Sequence, residues 1–226
     1  MIINKFILLF LLVLPLAIAC SDDDDPTGPS TDVIEGDVSL STQAEVNSFA
    51  GAYITGSLTI TGSDIVDLTP LSTLDSLGGD LVVTVNTALT NLNGLSNITS
   101  VGGHLHVNLN TALTNLDGLI NITSVGGELF VGFNPALTNL NGLSNITSLG
   151  GDLVVAGNNA LTNLDGLINI TSVGGELFVG FNPALNIFCG LYPLLSSNGL
   201  QGGYDVTGNL VNPAQQQIID GGPCIT

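Results

Sequence analysis

His104 and His106 are the only imidazoles in the chain, and they stand on either side of Leu105. On a strand, residues two apart share a face. The pair therefore offers two nitrogen ligands to a metal, or a base for carbohydrate chemistry. Asp80, His104, Glu128, Asp152 and Glu176 occupy equivalent places, 24 residues apart. Paired carboxylates cleave glycosides when they converge on one bond, but these acids recur along the chain and do not gather. A polysaccharide lyase needs a base and a cation that neutralises the substrate carboxylate; the chain holds a single Lys or Arg, Lys5. The expectation is a protein that is not an enzyme. The histidines read as two exposed residues replacing the usual acid and apolar residue, with a metal site as the competing reading. The acid column reads as a solubilising stripe that discourages edge pairing, or as a weak divalent-cation ladder. It does not match the glycine-rich calcium-binding nonapeptide. Apart from such weak cation binding, no cofactor and no resident metal are expected.

The thiols are Cys20, Cys189 and Cys224. Lys5 precedes the apolar run Phe6–Ile18, which ends in "LAIAC". Residues 1–19 read as a signal peptide, too short for a spanning helix. With Cys directly after Ala19, the segment resembles a bacterial lipoprotein signal, cut before Cys20 and acylated there. Leu16 lies one place further from Cys20 than in the usual lipobox. An ordinary secreted protein and an uncleaved anchor are the alternatives. Residues 20–32 read as a flexible acidic tether. Within it, Ser21, Asp22, Asp23, Asp24 and Asp25 resemble the surface-export signal of Bacteroidota lipoproteins; a plain linker is the other reading. The expected location is the outer membrane, lipid-anchored and facing outward at the cell surface. With Cys20 acylated, Cys189 and Cys224 form an even pair in an exported protein, which suggests a disulfide. Two buried free thiols are the alternative.

Formal net charge is −18, and signal removal takes the only Lys with it. Nucleic acid is therefore excluded as a partner, because phosphate binding relies on Lys and Arg. Anionic lipid is excluded for the body, leaving acyl chains as the membrane contact. The expected partner is an extracellular protein or glycan.

Internal repetition organises the rest. "ALTNLDGLINITSVGGELFVGFNPAL" runs from Ala112 to Leu137 and again from Ala160 to Leu185. Gly-Gly, Asn and Ala-Leu each recur with a period of 24. In the unit from Gly151, Leu153 and Val155 alternate as one side of a short strand does. Leu161, Leu164, Leu167, Ile170 and Val173 then recur every third residue, which fits flat faces joined by corners. The Gly pair reads as backbone freedom at a corner. Asn86, Asn110, Asn134, Asn158, Asn182 and Asn209 read as a structural ladder, turned inward just after each strand and bonding adjacent rungs. Solvent-facing turn residues are the other possibility for them. The Asn-Ile-Thr sequons at Asn97, Asn121, Asn145 and Asn169 are explained by the repeat alone.

These patterns predict an all-β solenoid, a right-handed parallel β-helix of about seven rungs with short helical caps at both ends. Strands begin near Leu58, Leu81, Leu105, Leu129, Leu153, Leu177 and Tyr204, and Ser63 takes the Asn place of the earliest. Leu81, Leu105, Leu129, Leu153 and Leu177 should stack in one interior column. One domain spans 33–226. Its N-terminal cap, about 33–50, carries a capping box of Thr42 and Glu45. Its C-terminal cap, about 187–226, is stapled by Cys189 and Cys224, with Pro213 in a first helical turn and Gly221 as a C-cap.

The pattern "GGDLVV…N.ALTNL.GL.NITSVGG", ending in "FCGLYPLL" and "NPAQQQIIDGGPC", resembles receptor L domains over residues 33–226. Leucine-rich repeats are the neighbouring class; this unit lacks their helical return stretch. The resemblance implies binding and supplies no ligand.

The strands also point residues outward. One outward column reads Val82, His106, Phe130, Val154, Phe178. Three places on lies Val85, Leu109, Phe133, Gly157, Phe181. The candidate ligand-binding face is therefore Phe130, Phe133, Phe178 and Phe181, four rings in one contiguous patch unless another segment covers them. The leading reading is a cell-surface binding or adhesion module. The alternative is an envelope spacer without a dedicated ligand, and a β-helix carbohydrate enzyme is third.

Overall fold

The computed structural model describes residues 33–221. Cys20, the Ser21–Asp25 stretch and Cys224 lie outside these residues. Because the sequence repeats every 24 residues, each position stacks on its own equivalent, and all strand pairing between rungs is parallel. Two sheets result. The long sheet has eight strands: Val38–Leu40, Leu58–Ile60, Leu81–Thr84, Leu105–Asn108, Leu129–Gly132, Leu153–Ala156, Leu177–Gly180 and Tyr204–Thr207. The short sheet has seven two-residue strands, from Val33–Ile34 to Ser172–Val173. The fold is a parallel β-helix. Leu81, Leu105, Leu129, Leu153 and Leu177 pair in register and are at most 1% exposed.

Several expectations need correction. The long sheet has one strand more than the sequence count, because the presumed N-terminal cap contributes Val33–Ile34 and Val38–Leu40 to the two sheets. The N-terminal helix, α1 (Gln43–Ser48), thus follows strands already in the stack and is inserted within the first rung. Thr42 and Glu45 do form a capping box there. Amide and hydroxyl bonds from Ser41, with the Thr42 amide, hold the Glu45 carboxyl below its ordinary range.

The three-residue spacing of leucines reflects more than flat faces. Six single-turn 3-10 helices lie in the return path: Thr69–Leu71, Asn93–Leu95, Asp117–Leu119, Asn141–Leu143, Asp165–Leu167 and Cys189–Leu191. A 3-10 turn has three residues per turn, so it aims every third Leu at the axis. Leu92, at the N-cap, and Leu95 are turned inward by this device, and Leu89 and Ile98 on either side continue the spacing; all four are fully buried.

The Gly pairs are not there for unusual dihedrals. Among the described glycines only Gly36, Gly157 and Gly208 have positive φ. The pairs serve close approach instead. A Cβ on Gly102 would overlap the carbonyl oxygen of Gly78 in the preceding rung, and one on Gly103 would overlap the Asp80 carboxylate.

At the C-terminal end, α2 (Tyr192–Ser196) carries Pro193 in its first turn, and α3 is Gln215–Asp220. Pro213 precedes the N-cap, Ala214, and so lies outside the helix; its carbonyl accepts a bond from the Tyr204 hydroxyl at 2.7 Å. Burial pushes that phenol up to about 12. Gly221 is the C-cap of α3 but has right-handed dihedrals. Cys189 is disulfide-bonded. Among the described residues, no helix is long and apolar enough to cross a membrane.

Candidate functional site

The outer face of the long sheet is built from a break in alternation. Leu81 and Val83 point in, while Val82 and Thr84 are half-exposed. Simple alternation would turn Val85 inward and Asn86 outward. The opposite holds: Val85 is 46% exposed and Asn86 is fully buried. The cause is a left-handed backbone at Val85, φ 59°. The same conformation recurs at Leu109, Phe133 and Phe181, φ 57–58°, and at Gly157 and Gly208 in the same column. Each residue before the last rung stays in the sheet through its amide, as Phe133 does to Ala156 O at 2.9 Å, and then turns the chain.

What anchors the turn lies beneath it. Asn110, Asn134, Asn158 and Asn182 have equivalent bonds. The Asn158 Oδ1 accepts the Asn134 amide at 3.1 Å, and its Nδ2 donates to Val131 O at 3.0 Å and Asn182 Oδ1 at 3.4 Å. Asn209 closes the series by accepting from the Asn182 amide. Its own amide finds Asn212 Oδ1 at 2.9 Å. Asn212 thus stands in for the rung that does not follow, a role no repeat signal could reveal. At the other end it is Gly62, and not the expected Ser63, that takes the Asn place, donating its amide to Asn86 Oδ1; Ser63 is exposed. Among the described residues, every buried side-chain polar atom has a partner.

The four Phe rings form two pairs rather than one patch. Phe130 meets Phe133 with centroids 6.4 Å apart, and Phe178 meets Phe181 at 6.3 Å. A rung carrying Val154 and Gly157 separates the pairs. Phe130 and Phe178 fold along their own strands over Gly132 and Gly180, where a Cβ would strike the rings. They are therefore half-buried platforms. Phe133 and Phe181 stand up, 53% and 62% exposed, each leaning over the glycine of the next rung, Gly157 or Gly208. Between them runs an open groove lined by Thr111, Phe133, Pro135, Gly157, Asn159 and Phe181, with no charged group.

At the start of each strand the acid column has a structural task that the sequence reading missed. Asp80 Oδ1 accepts the His104 amide at 2.7 Å, His104 Nδ1 the Glu128 amide at 3.0 Å, and Asp152 Oδ1 the Glu176 amide at 2.7 Å. Ser57 and Asp37 extend this chain of acceptors toward the N-terminus. The column is thus a second inter-rung ladder and not a bare stripe. A signal existed in the sequence: a residue with a short acceptor side chain, with a glycine 23 places on, Gly103 for Asp80 and Gly175 for Asp152, that leaves it room. Glu128 is longer and turns instead to His106, its Oε2 lying 3.3 Å from Nε2.

No family model matches the chain, and neither the curated proteins nor the solved structures supply a match.

Proposed function

We propose that this protein is a lipid-anchored surface module that binds an extracellular protein or glycan through the outer face of its long sheet, without catalysis. The observation that carries the reading is the strained ridge. A non-glycine residue in the left-handed region costs about 1–2 kcal/mol, and bulky or branched side chains are the worst suited to it. Val85, Leu109, Phe133 and Phe181 all accept that cost while exposed to solvent. Gly157 and Gly208 do the same backbone task without it. Strain kept for the sake of exposed apolar side chains points to those side chains being used. The four-unit ridge also repeats its Phe contact after 48 residues, which gives a multivalent partner two points of attachment. A receptor L-domain-like architecture fits this reading. A spacer without a ligand would be served as well by glycine throughout the column.

The experiment is a screen of printed glycans and extracellular proteins with the full chain. Saturable capture of at least one class supports a binding module; none favours the spacer. The anchor is tested separately. Cys20→Ala is expected to release the protein from membranes or leave it unprocessed, read by fractionation and by mass. A variant that fractionates and migrates like the wild type contradicts lipidation. Replacing Asp22–Asp25 with Ala should abolish digestion of the protein on intact cells. The protease must be one other than trypsin, because the chain after Lys5 has no Lys or Arg.

A further inference from the structure

We propose that His104, His106 and Glu128 form a binding site for a borderline transition cation such as Zn2+, Ni2+ or Cu2+. One ligand atom from each residue lies within 4.8 Å of the others, and His106 Nε2 is already 3.3 Å from Glu128 Oε2. The two imidazole rings are 5.4 Å apart. Small side-chain rotations bring such donors to the ~2.0–2.2 Å that zinc requires. All three residues are exposed or half-exposed, so an ion has a path in. Two nitrogens and one carboxylate suit zinc, nickel and copper; calcium and magnesium prefer oxygen alone.

Neither histidine is required by the scaffold. Asp80 and Asp152 make the same inter-rung bond that His104 makes. Val82 and Val154 fill the outward place that His106 fills. Yet the chain's only two histidines fall in one rung, two residues apart, with a carboxylate in the next. The surrounding charge favours cations, since no Lys or Arg follows Lys5 and the net charge is −18.

The site carries one internal exchange. Nδ1 of His104 accepts the Glu128 amide, which puts the ring proton on Nε2. Coordination through Nε2 moves that proton to Nδ1, and the Glu128 amide, on the exposed surface, takes water as its acceptor. Affinity is accordingly lower than for a preformed three-ligand site.

The test is calorimetric titration of the full chain with Zn2+ and with Ni2+. The informative variant is His104→Asp/His106→Val, which converts "GGHLHV" into the "GGDLVV" found at 78–83 and 150–155. It keeps the inter-rung acceptor and the outward apolar residue, so its fold is safe. We expect one saturable site in the wild type, a loss of affinity of at least tenfold in the double variant, and a several-fold loss in Glu128→Gln. Excess Ca2+ should not compete. Unchanged affinity in either variant, displacement by Ca2+, or no saturable binding by the wild type would overturn the proposal.

Discussion

Gly142→Ala is expected to lower stability by about 3 kcal/mol or more, the upper range for forced overpacking. The reason is the distance at which rungs stack. A Cβ at Gly142 would overlap the Leu116 carbonyl carbon and oxygen of the preceding rung. That carbonyl cannot swing aside, because it already accepts the Leu119 amide at 2.8 Å within its own 3-10 turn. Gly118 and Gly166 stand under the same constraint. Gly103→Ala is the matched control. Its new methyl would overlap mainly the Asp80 carboxylate, the free end of a side chain, and would press only lightly on the Gly79 carbonyl carbon at 3.0 Å and the Asp80 nitrogen at 3.1 Å. The carboxylate can rotate away for the loss of one exposed hydrogen bond, about 1 kcal/mol. Chemical denaturation of the two variants should separate them clearly. Equal midpoints would mean that the rungs are less tightly stacked than described.

Asn158→Ala is expected to cost about 2–4 kcal/mol, because it orphans one buried amide at about 1–3 kcal/mol and strips a bond from several other buried groups. The Asn134 amide loses its acceptor, and Val131 O loses the side-chain bond that it accepts beside its strand pairing. Asn182 Oδ1 keeps the Asn158 backbone amide alone. None of these groups can turn to water, since Asn134, Asn158 and Asn182 are fully buried. Asn209→Ala, at the end of the ladder, should cost clearly less. Asn209 is 9% exposed, and water can reach the groups it leaves. Equilibrium unfolding of both variants checks the gradient. A mid-ladder loss no larger than the terminal one would show that the asparagines are not the spine of the stack.

The period of the sequence carried most of the architecture, because stacking identical units forces identical residues into columns. Leu153 and Val155 identified the strand, and the place of Asn158 marked its end. The bend itself was not legible. Local preference argues against left-handed Val85, Leu109 and Phe133, so reading those residues alone points the wrong way. The clue was indirect: Gly157 and Gly208 occupy the column where the backbone needs what glycine does easily. The 3-10 turns show in the sequence only as a three-residue spacing, which a flat face shares. The Gly pairs suggest corners in the sequence because glycine's dihedral freedom is the familiar signal; close packing of Gly102 on Gly78 leaves none in a single sequence. Asn212 could not be found at all, since a residue that ends a repeat has no counterpart within it. At the candidate face, the four Phe positions were legible. Their division into two covered and two standing rings was not, because it depends on Gly132 and Gly180 making room beneath Phe130 and Phe178.

The use of the ridge is tested most directly by Phe133→Gly/Phe181→Gly. Each replacement removes a ring that is half-buried or less, a loss of about 1 kcal/mol. Each also relieves about 1–2 kcal/mol of left-handed strain. The two effects nearly offset, so the thermal midpoint should stay within about 4 °C of the wild type. Binding should not survive. For whichever glycan or protein the wild type captures, the account predicts at least a tenfold loss of affinity in a variant that melts like its parent. Undiminished capture by that variant would contradict it.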